Sequence, residues 1–600
     1  MDNKNFRILY VKCIITLMIF FMQYSNPSAA GAQVPFPTIH KPPVPYHMQY
    51  VNFQTLQLDI LGDYASGMIG DPYADLSWNP AFITSRSQST LYVKVNFNQA
   101  SSTSSYYINP DYGNSYTVLP RWYNTSGINL LNTEPVYHIA YLKPITSKFC
   151  LGVVNRTMVD YGPYRSTGWW DDRGWDTDKI IPENDYNLEP QTLEVDENNQ
   201  QVWGNHVEIF LGYKWSPSLS IGLKLGHYFF RRDGNLYDSK WGYHPHYSYA
   251  DLNDELLNIN GDQYECGLGF IYHVDKNTSL GMYGSYMIGS TRDDRAVQDT
   301  LDNWSETAED TRYYSLRKYD LMRNEEYSSD DTQPLFSLVF EKKVSQNITL
   351  RSFLKSSWLN SDVSGTIDSH DTTYADRTYD YYHNQQYYFR RQRNYYKSIA
   401  NLHGDGNTSS STVQWFTSII YAPDEKWSLF SGIYFSRTVL DREITETSDY
   451  LNRYFSEYSE YDPETRRRQY SQEKNYVYTF HSEQWDCILP IGFRLSMVKG
   501  FDILLGAHLS FIGYDSKEKG SVVYPRKLEQ RWIDGELVVS DLEENRYELY
   551  TSDPSFSLQR DTDIHLGARY EHSSGIRVFF RTEGNLSDMD YWALGFEVIL

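Results

Sequence analysis

From residue 89 onward, apolar and polar residues alternate at every second position in runs of about ten residues. Leu219, Ile221, Leu223 and Leu225 alternate with Ser220, Gly222, Lys224 and Gly226. Phe501, Ile503, Leu505, Ala507, Leu509 and Phe511 alternate with Asp502, Leu504, Gly506, His508 and Ser510, and Ile564, Leu566, Ala568 and Tyr570 with His565, Gly567 and Arg569. Period two belongs to a β-strand with one face in an apolar medium. The runs come in pairs joined by short turns at Lys143–Ser147, Ser216–Ser218, Val274–Asn277, Val344–Asn347, Pro423–Lys426, Val498–Gly500 and Ser573–Gly575, built from Pro, Asp, Asn, Gly and Ser. Polar segments of roughly thirty to fifty residues link the pairs and carry most of the charge and tyrosine; they read as long extracellular loops.

A soluble sandwich also alternates, but it does not sort its connections into short at one end and long at the other. A transmembrane barrel does. Seven hairpins, a run before them (Leu91–Phe97) and one after (Trp592–Leu600) predict an all-β, antiparallel, up-and-down transmembrane barrel of fourteen to sixteen strands, with sixteen favoured. Closure leaves no unpaired backbone edge in hydrocarbon. Tyr213, Trp215, Tyr272, Tyr421 and Trp427 stand where strands meet the short turns, the place of an interfacial girdle.

Composition agrees with this pattern. The 600 residues are 40% hydrophobic and 16% aromatic, with 54 tyrosines, yet the mean hydropathy is -0.59. Beyond the N-terminus no run approaches the roughly eighteen apolar residues of a membrane helix. A balance of 54 basic to 77 acidic residues, net -23, argues against nucleic acid as a partner. Residues 1–32 read as an export signal: Lys4, Arg7 and Lys12 precede an apolar run from Cys13 to Met22, and small residues follow at Ser28–Ala32. Cys150, Cys266 and Cys487 are too few and too scattered for a disulfide framework and read as free thiols.

Residues 33–88 lack the hairpin rhythm. A proline-rich stretch (Val34-Pro-Phe-Pro, Lys41-Pro-Pro-Val-Pro-Tyr46) leads into Gly62, Gly67, Gly70 and Asp71-Pro72, then Asn79-Pro80, where Asn79 is placed to cap a turn or short helix. The run Asp71-x-x-Ala74-Asp75-Leu76-x-Trp78-Asn79-Pro80-Ala81, just before strand one, resembles the FadL-like long-chain fatty acid transporter superfamily, a group that includes barrel proteins of type IX secretion. The C-terminal apolar face Trp592, Leu594, Phe596, Val598 and Leu600 likewise looks like the terminal signal of bacterial outer-membrane barrels, with Leu600 in the usual aromatic place. The resemblance implies an N-terminal hatch (33–88) folded into a barrel (89–600), with Asp75, Trp78, Asn79, Pro80 and Ala81 against the inner wall. It also implies passage of hydrophobic molecules with sideways exit through the wall. The runner-up is a surface scaffold that anchors secreted or surface proteins.

No phosphate-binding glycine loop, His-Glu-x-x-His, Cys-x-x-Cys or Gly-x-Ser-x-Gly occurs in the sequence, so no enzyme, cofactor or metal is expected. Asp502, His508 and Ser510 share an inward face, but a strand rise of about 3.3 Å per residue puts Asp502 about 20 Å from His508, too far for a triad. The inward charges Glu208, Lys214, Lys224, Glu265, Arg494, Arg569, Arg577, Arg581 and Glu597 line the lumen with His508, and pairing with each other and with the hatch is favoured over a conduction path. Pro490 interrupts the run Cys487 to Met497, as an ordinary bulge in preference to a lateral opening. The segment Tyr379–Tyr396, with seven tyrosines and Arg390, Arg391 and Arg393, reads as tyrosines packed on neighbouring loops, or as a surface for glycan, protein or lipopolysaccharide. Ser329-Asp330-Asp331 reads as a solvated charge run without calcium-loop spacing. Outer-membrane lipid and lipopolysaccharide are the expected surroundings.

Overall fold

A computed structural model describes residues 47–48, 53, 55–61, 67–96, 130–131, 137–162, 191–244, 247–307, 311–383, 386–424, 426–459, 464–551, 555–582 and 592–600. The export signal and the proline-rich stretch lie outside the described residues. The strands are β1 (Thr90–Asn96), β2 (Tyr137–Pro144), β3 (Phe149–Gly162), β4 (Gln191–Ser216), β5 (Leu219–His244), β6 (Tyr247–Asp275), β7 (Thr278–Thr307) and β8 (Thr311–Ser345). They continue with β9 (Ile348–His383), β10 (Gln386–Tyr421), β11 (Trp427–Ser459), β12 (Glu464–Val498) and β13 (Phe501–Ile533). After these come β14, in two stretches (Glu536–Thr551 and Ser555–Glu571), β15 (Ile576–Thr582) and β16 (Trp592–Ile599). Each pairs antiparallel with its neighbour in sequence, and β16 pairs with β1, closing the sheet into a barrel. The two stretches of β14 lie end to end on one side of β13: Ser516 pairs with Ser555 and Lys519 with Thr551, so β14 carries one extra residue at its break. Counted so, the ring has the sixteen expected strands, and all seven short turns fall where the sequence puts them.

The membrane-facing belt is legible in exposure. On β6, Tyr264, Leu268, Phe270 and Tyr272 are exposed, while the alternate residues Gln263, Glu265 and Ile271 are buried. Tyr264 to Tyr272 spans about 26 Å at strand rise, close to the apolar band of a barrel. Leu280, Met282, Tyr286 and Ile288 on β7, and Ile433 and Phe435 on β11, continue the belt outward. Just beyond it the outward face turns ionic: Arg231 meets Asp233 at 2.7 Å, Arg292 meets Glu326 at 2.8 Å and Arg437 meets Glu483 at 2.8 Å. At the short-turn end, the Tyr213–Trp215 and Tyr421–Trp427 rings meet edge to face at 6.3 and 5.4 Å.

One expectation fails. From β5 to β14 the linking segments are largely strand and not loop, while those at 97–129, 163–190 and 583–591 lie outside the described residues: β8 to β13 run 33 to 36 residues, up to about 115 Å of chain where the belt needs about ten residues. Tyr379–Tyr396 is accordingly the end of β9 and the start of β10, joined across 384–385. The cause is a reversal of phase. Within the belt apolar residues face out. Above it they face in: Val202, Tyr228, Phe230, Leu257, Ile259, Tyr327 and Ile367 form one buried cluster, and Leu440, Tyr476, Tyr478, Phe480 and Val522 another. The exterior changes from lipid to water while apolar side chains pack inside, so the apolar positions shift by one residue along the same strand. On the far arc of the ring the described strands are short, with β1, β2, β15 and β16 7 or 8 residues long.

Candidate functional site

Three short elements precede β1 and sit inside the ring: α1 (Leu56–Leu61), α2 (Ala74–Trp78) and a 3-10 helix (Pro80–Ser85). Asp71 organises the first turn of α2, accepting from the backbone N–H of Tyr73 (2.9 Å) and Ala74 (3.0 Å) and from the Thr55 hydroxyl (2.6 Å). Asn79 caps the 3-10 helix, its Oδ1 accepting from Ala81 N–H at 3.0 Å, and Pro80 fits the first helical position. The Asn79 amide also donates to the wall, to Phe270 O at 3.0 Å and Met282 O at 3.1 Å. Asn79 and Ala81 are fully buried.

A row of wall glycines receives this turn. Gly212 pairs with Gly222 and Gly222 with Gly269 across β4, β5 and β6. A Cβ at Gly222 would stand 2.2 Å from Ala81 N, and one at Gly269 2.2 Å from Asn79 Oδ1. Gly152 and Gly212 make room for Ile83 in the same way. On the opposite arc Gly506, Gly567 and Gly595 make room for Leu61, Ile60 and Leu56 of α1. Trp78 closes a third side, packed edge to face on Phe353 (5.3 Å) and Phe416 (5.2 Å) with Lys355 Nζ 5.3 Å from its ring centroid. Its carbonyl accepts from Ser337 Oγ at 2.8 Å.

Charge fastens the segment at three points. Arg351 on β9 donates to Asp75 at 3.0 Å and also contacts Glu341 at 2.9 Å. Lys94 on β1 pairs with Asp59 of α1, with Arg581 3.9 Å from the same carboxylate. Tyr73 donates to Glu597 on β16 at 3.1 Å, and Arg577 holds the other oxygen of Glu597 at 2.8 Å. Burial pushes the Asp75 carboxyl up to about 6 although Arg351 opposes it; Asp75 Oδ1 has no hydrogen-bond partner among the described residues.

The charges named from sequence distribute as follows. Glu208, Lys224 and Glu265 form a buried chain, Lys224 Nζ lying 2.7 Å from Glu208 and 2.8 Å from Glu265, with Arg156 3.1 Å from Glu208 and the Tyr283 hydroxyl 2.6 Å from Glu265. Arg569 pairs with Asp502, and Arg577 bridges Glu571 and Glu597. Lys214 and Arg494 are half-buried on the inward face near the short turns. His508 stacks on His565 at 5.9 Å, while Asp502 is held by Arg569 and by Ser496 Oγ at 2.5 Å, so Asp502, His508 and Ser510 stay apart in role.

Pro490 is not a bulge. Its ladder to β13 is continuous through His508, and on the β11 side the register is the same before and after it, Ser431 with Ile491 and Tyr434 with Ile488, with pairing lost only between. A residue's N–H and C=O point to one neighbour, so a proline removes one ladder bond and spares the other. Pro334 does the same on β8, between Thr332–Asn360 and Leu335–Ser357.

Sequence reasoning missed the glycine cradle and the partners Lys94, Arg351 and Glu597 as fasteners. The cradle had a signal: Gly152, Gly222 and Gly281 each stand fourth in the strand after a short turn. The fastening contacts had none, because they join residues 35, 276 and 524 positions apart with no local pattern to relate them. Cys150, Cys266 and Cys487 are free thiols.

No protein-family model matches the chain, and no curated protein matches it. Among solved structures it is similar to a Pseudomonas aeruginosa FadL homologue, 9% identical over 90% of this chain and 98% of the other with a TM-score of 0.30. It is also similar to the CymD monoaromatic hydrocarbon channel, 12% identical over 66% and 97% with a TM-score of 0.24. A third likeness is to the ferric-catecholate import receptor Fiu of E. coli K12, 6% identical over 86% and 82% with a TM-score of 0.20. The architecture described above rests on this chain's own strand pairing and burial.

Proposed function

We propose that this chain is an outer-membrane barrel of FadL-like type that passes a hydrophobic small molecule, with residues 53–86 as its hatch. On this reading the seated segment is the closed state. The outward apolar belt, with charge on the inner wall, supports a membrane site for the ring. The observation that carries the reading is how the segment is held. It is tied around the wall through glycine-lined contacts, ion pairs at Asp75 and Asp59, and a hydrogen bond from Tyr73 to Glu597. Removing one partner of a buried pair leaves an uncompensated charge, so such contacts switch between seated and released states better than they add stability.

A second reading has its own support. The inward clusters above the belt draw in residues of strands from β4 to β13, which suits a surface scaffold with a filled interior. The test is uptake of an apolar fluorescent dye into proteoliposomes, comparing the unaltered chain with the double variant Arg351→Met, Lys94→Met, together with mass spectrometry of small molecules retained in mild detergent. Passage predicts faster uptake for the double variant and a bound apolar molecule in the unaltered chain. If neither form admits dye and a protein co-purifies in stoichiometric amount, the scaffold reading replaces passage.

A further inference from the structure

Among the described residues the high wall ends at β14. The described part of its neighbour β15 ends at Thr582, which pairs with Leu566. Above that level the stretch Glu536–Thr551 has β13 as its ladder partner, and among the described residues no strand lies on its other side. It is entered by a tight turn, Asp534 at φ 51 and Gly535 at φ 83, the two-residue geometry that fixes hairpin register. Both faces of the strand are exposed: Leu537 51%, Val538 53%, Leu542 51%, Tyr547 60% and Leu549 50%. Proteins protect free edges with lysine, proline or brevity. This stretch is 16 residues long and contains neither lysine nor proline.

Its charge selects the occupant. Along the strand Glu536, Asp541, Glu543, Glu544 and Glu548 outnumber the one base, Arg546, whose guanidinium is engaged by Glu543 (2.8 Å) and Glu548 (2.8 Å); on β13 Lys527 reaches Glu543 at 3.4 Å and Arg526 stands opposite Glu544, and neither lies opposite Glu536 or Asp541. A second copy paired antiparallel about the middle of the strand would set Glu543 against Glu544, and like charges directly opposite destabilise a pair. We infer that the upper edge of β14 is a docking site for an extended segment of another protein that alternates apolar and basic residues, added as a further strand. Backbone hydrogen bonds would give the affinity and the acidic side chains the choice of partner. The regular stretch runs from Val539 to Glu544: below it Val538 bulges between the Trp532–Leu537 and Arg531–Val539 pairs, and above it Asn545, at φ 55, stands opposite Pro525 and breaks the ladder. This site is independent of passage through the bore.

The test uses the full chain in detergent and labelled ten-residue peptides. An alternating Val-Lys peptide is expected to bind saturably, and an alternating Val-Glu peptide at least tenfold more weakly. N-methylation of every second residue of the Val-Lys peptide should abolish binding, since it removes backbone donors and keeps the charge. The double variant Asp541→Lys, Glu544→Lys should weaken the Val-Lys peptide at least tenfold and strengthen the Val-Glu one, while Arg351→Met should change neither. Equal binding of both peptides, indifference to N-methylation, indifference to the β14 variant, or concentration-dependent dimers by mass photometry that the β14 variant dissolves would each overturn the inference.

Discussion

Gly222 shows how a single residue positions the segment. The atoms a new side chain would strike are Ala81 N at 2.2 Å and Pro80 C at 2.3 Å, both backbone, so no rotamer change relieves the clash. Gly222→Leu is expected to unseat the Asn79–Ala81 turn at a cost of about 1–3 kcal/mol, read as faster amide exchange at residues 79–86 with the barrel ladder unchanged. Gly284, where the nearest atom to a Cβ is 3.8 Å away, is the control and should tolerate alanine. Arg351→Met leaves the Asp75 carboxylate buried without its partner, and a loss of about 3–5 kcal/mol in seating follows from breaking such a pair. Asp75 itself makes the fit pH-dependent. Its carboxyl holds a proton up to about pH 6 in the folded chain against an ordinary value of 3.8, so the folded state binds more protons between those limits. The stabilisation from that proton is full below the ordinary value and is lost as pH rises through about 6. The melting temperature in detergent should show a downward contribution over this window, and Asp75→Asn should remove it; an unchanged slope in the variant would assign the dependence elsewhere.

At the scale of elements, the belt and the wall above it obey opposite patterns in one continuous strand. On β6, Leu268 and Phe270 face out at belt level, whereas Leu257 and Ile259 face in above it. A charge at the middle of the belt must therefore cost what lipid exposure costs: Leu268→Arg is expected to destabilise by about 2–4 kcal/mol, seen as a lower temperature for the folded-to-unfolded shift in gel mobility. The same change at Leu257 instead buries a charge among Tyr228, Ile259 and Tyr327. It should leave belt insertion intact and loosen only the upper wall, measured by proteolysis of the extensions. The belt portions of these strands were legible because their alternation is strict and their turns carry Pro, Asp, Asn and Gly. Their continuations were not, because the reversal of phase reads locally as an end to the pattern.

Across the described residues, sixteen strands close a ring, a segment of about thirty residues crosses it, and the strands from β4 to β14 are far longer than those of the opposite arc. If the segment closes the bore, as proposed, the barrel should show low ion conductance in a planar bilayer, rising in the Arg351→Met, Lys94→Met double variant; equal conductance in the two would mean that these contacts do not close the bore. The sequence by itself determined the strand count, the seven short turns, the direction in which belt side chains point and the Asn79-Pro80-Ala81 turn. All of these follow from local periodicity and local backbone preference, which neighbouring residues settle among themselves. Only the tertiary structure decided that the linking segments from β5 to β14 are wall, that Pro490 interrupts one ladder without a bulge, that Lys94, Arg351 and Glu597 fasten the segment, and that among the described residues the upper part of β14 has a strand on one side only. Each of those depends on which distant strand lies alongside and on whether lipid, water or protein fills the space beyond, and no window of sequence contains that information.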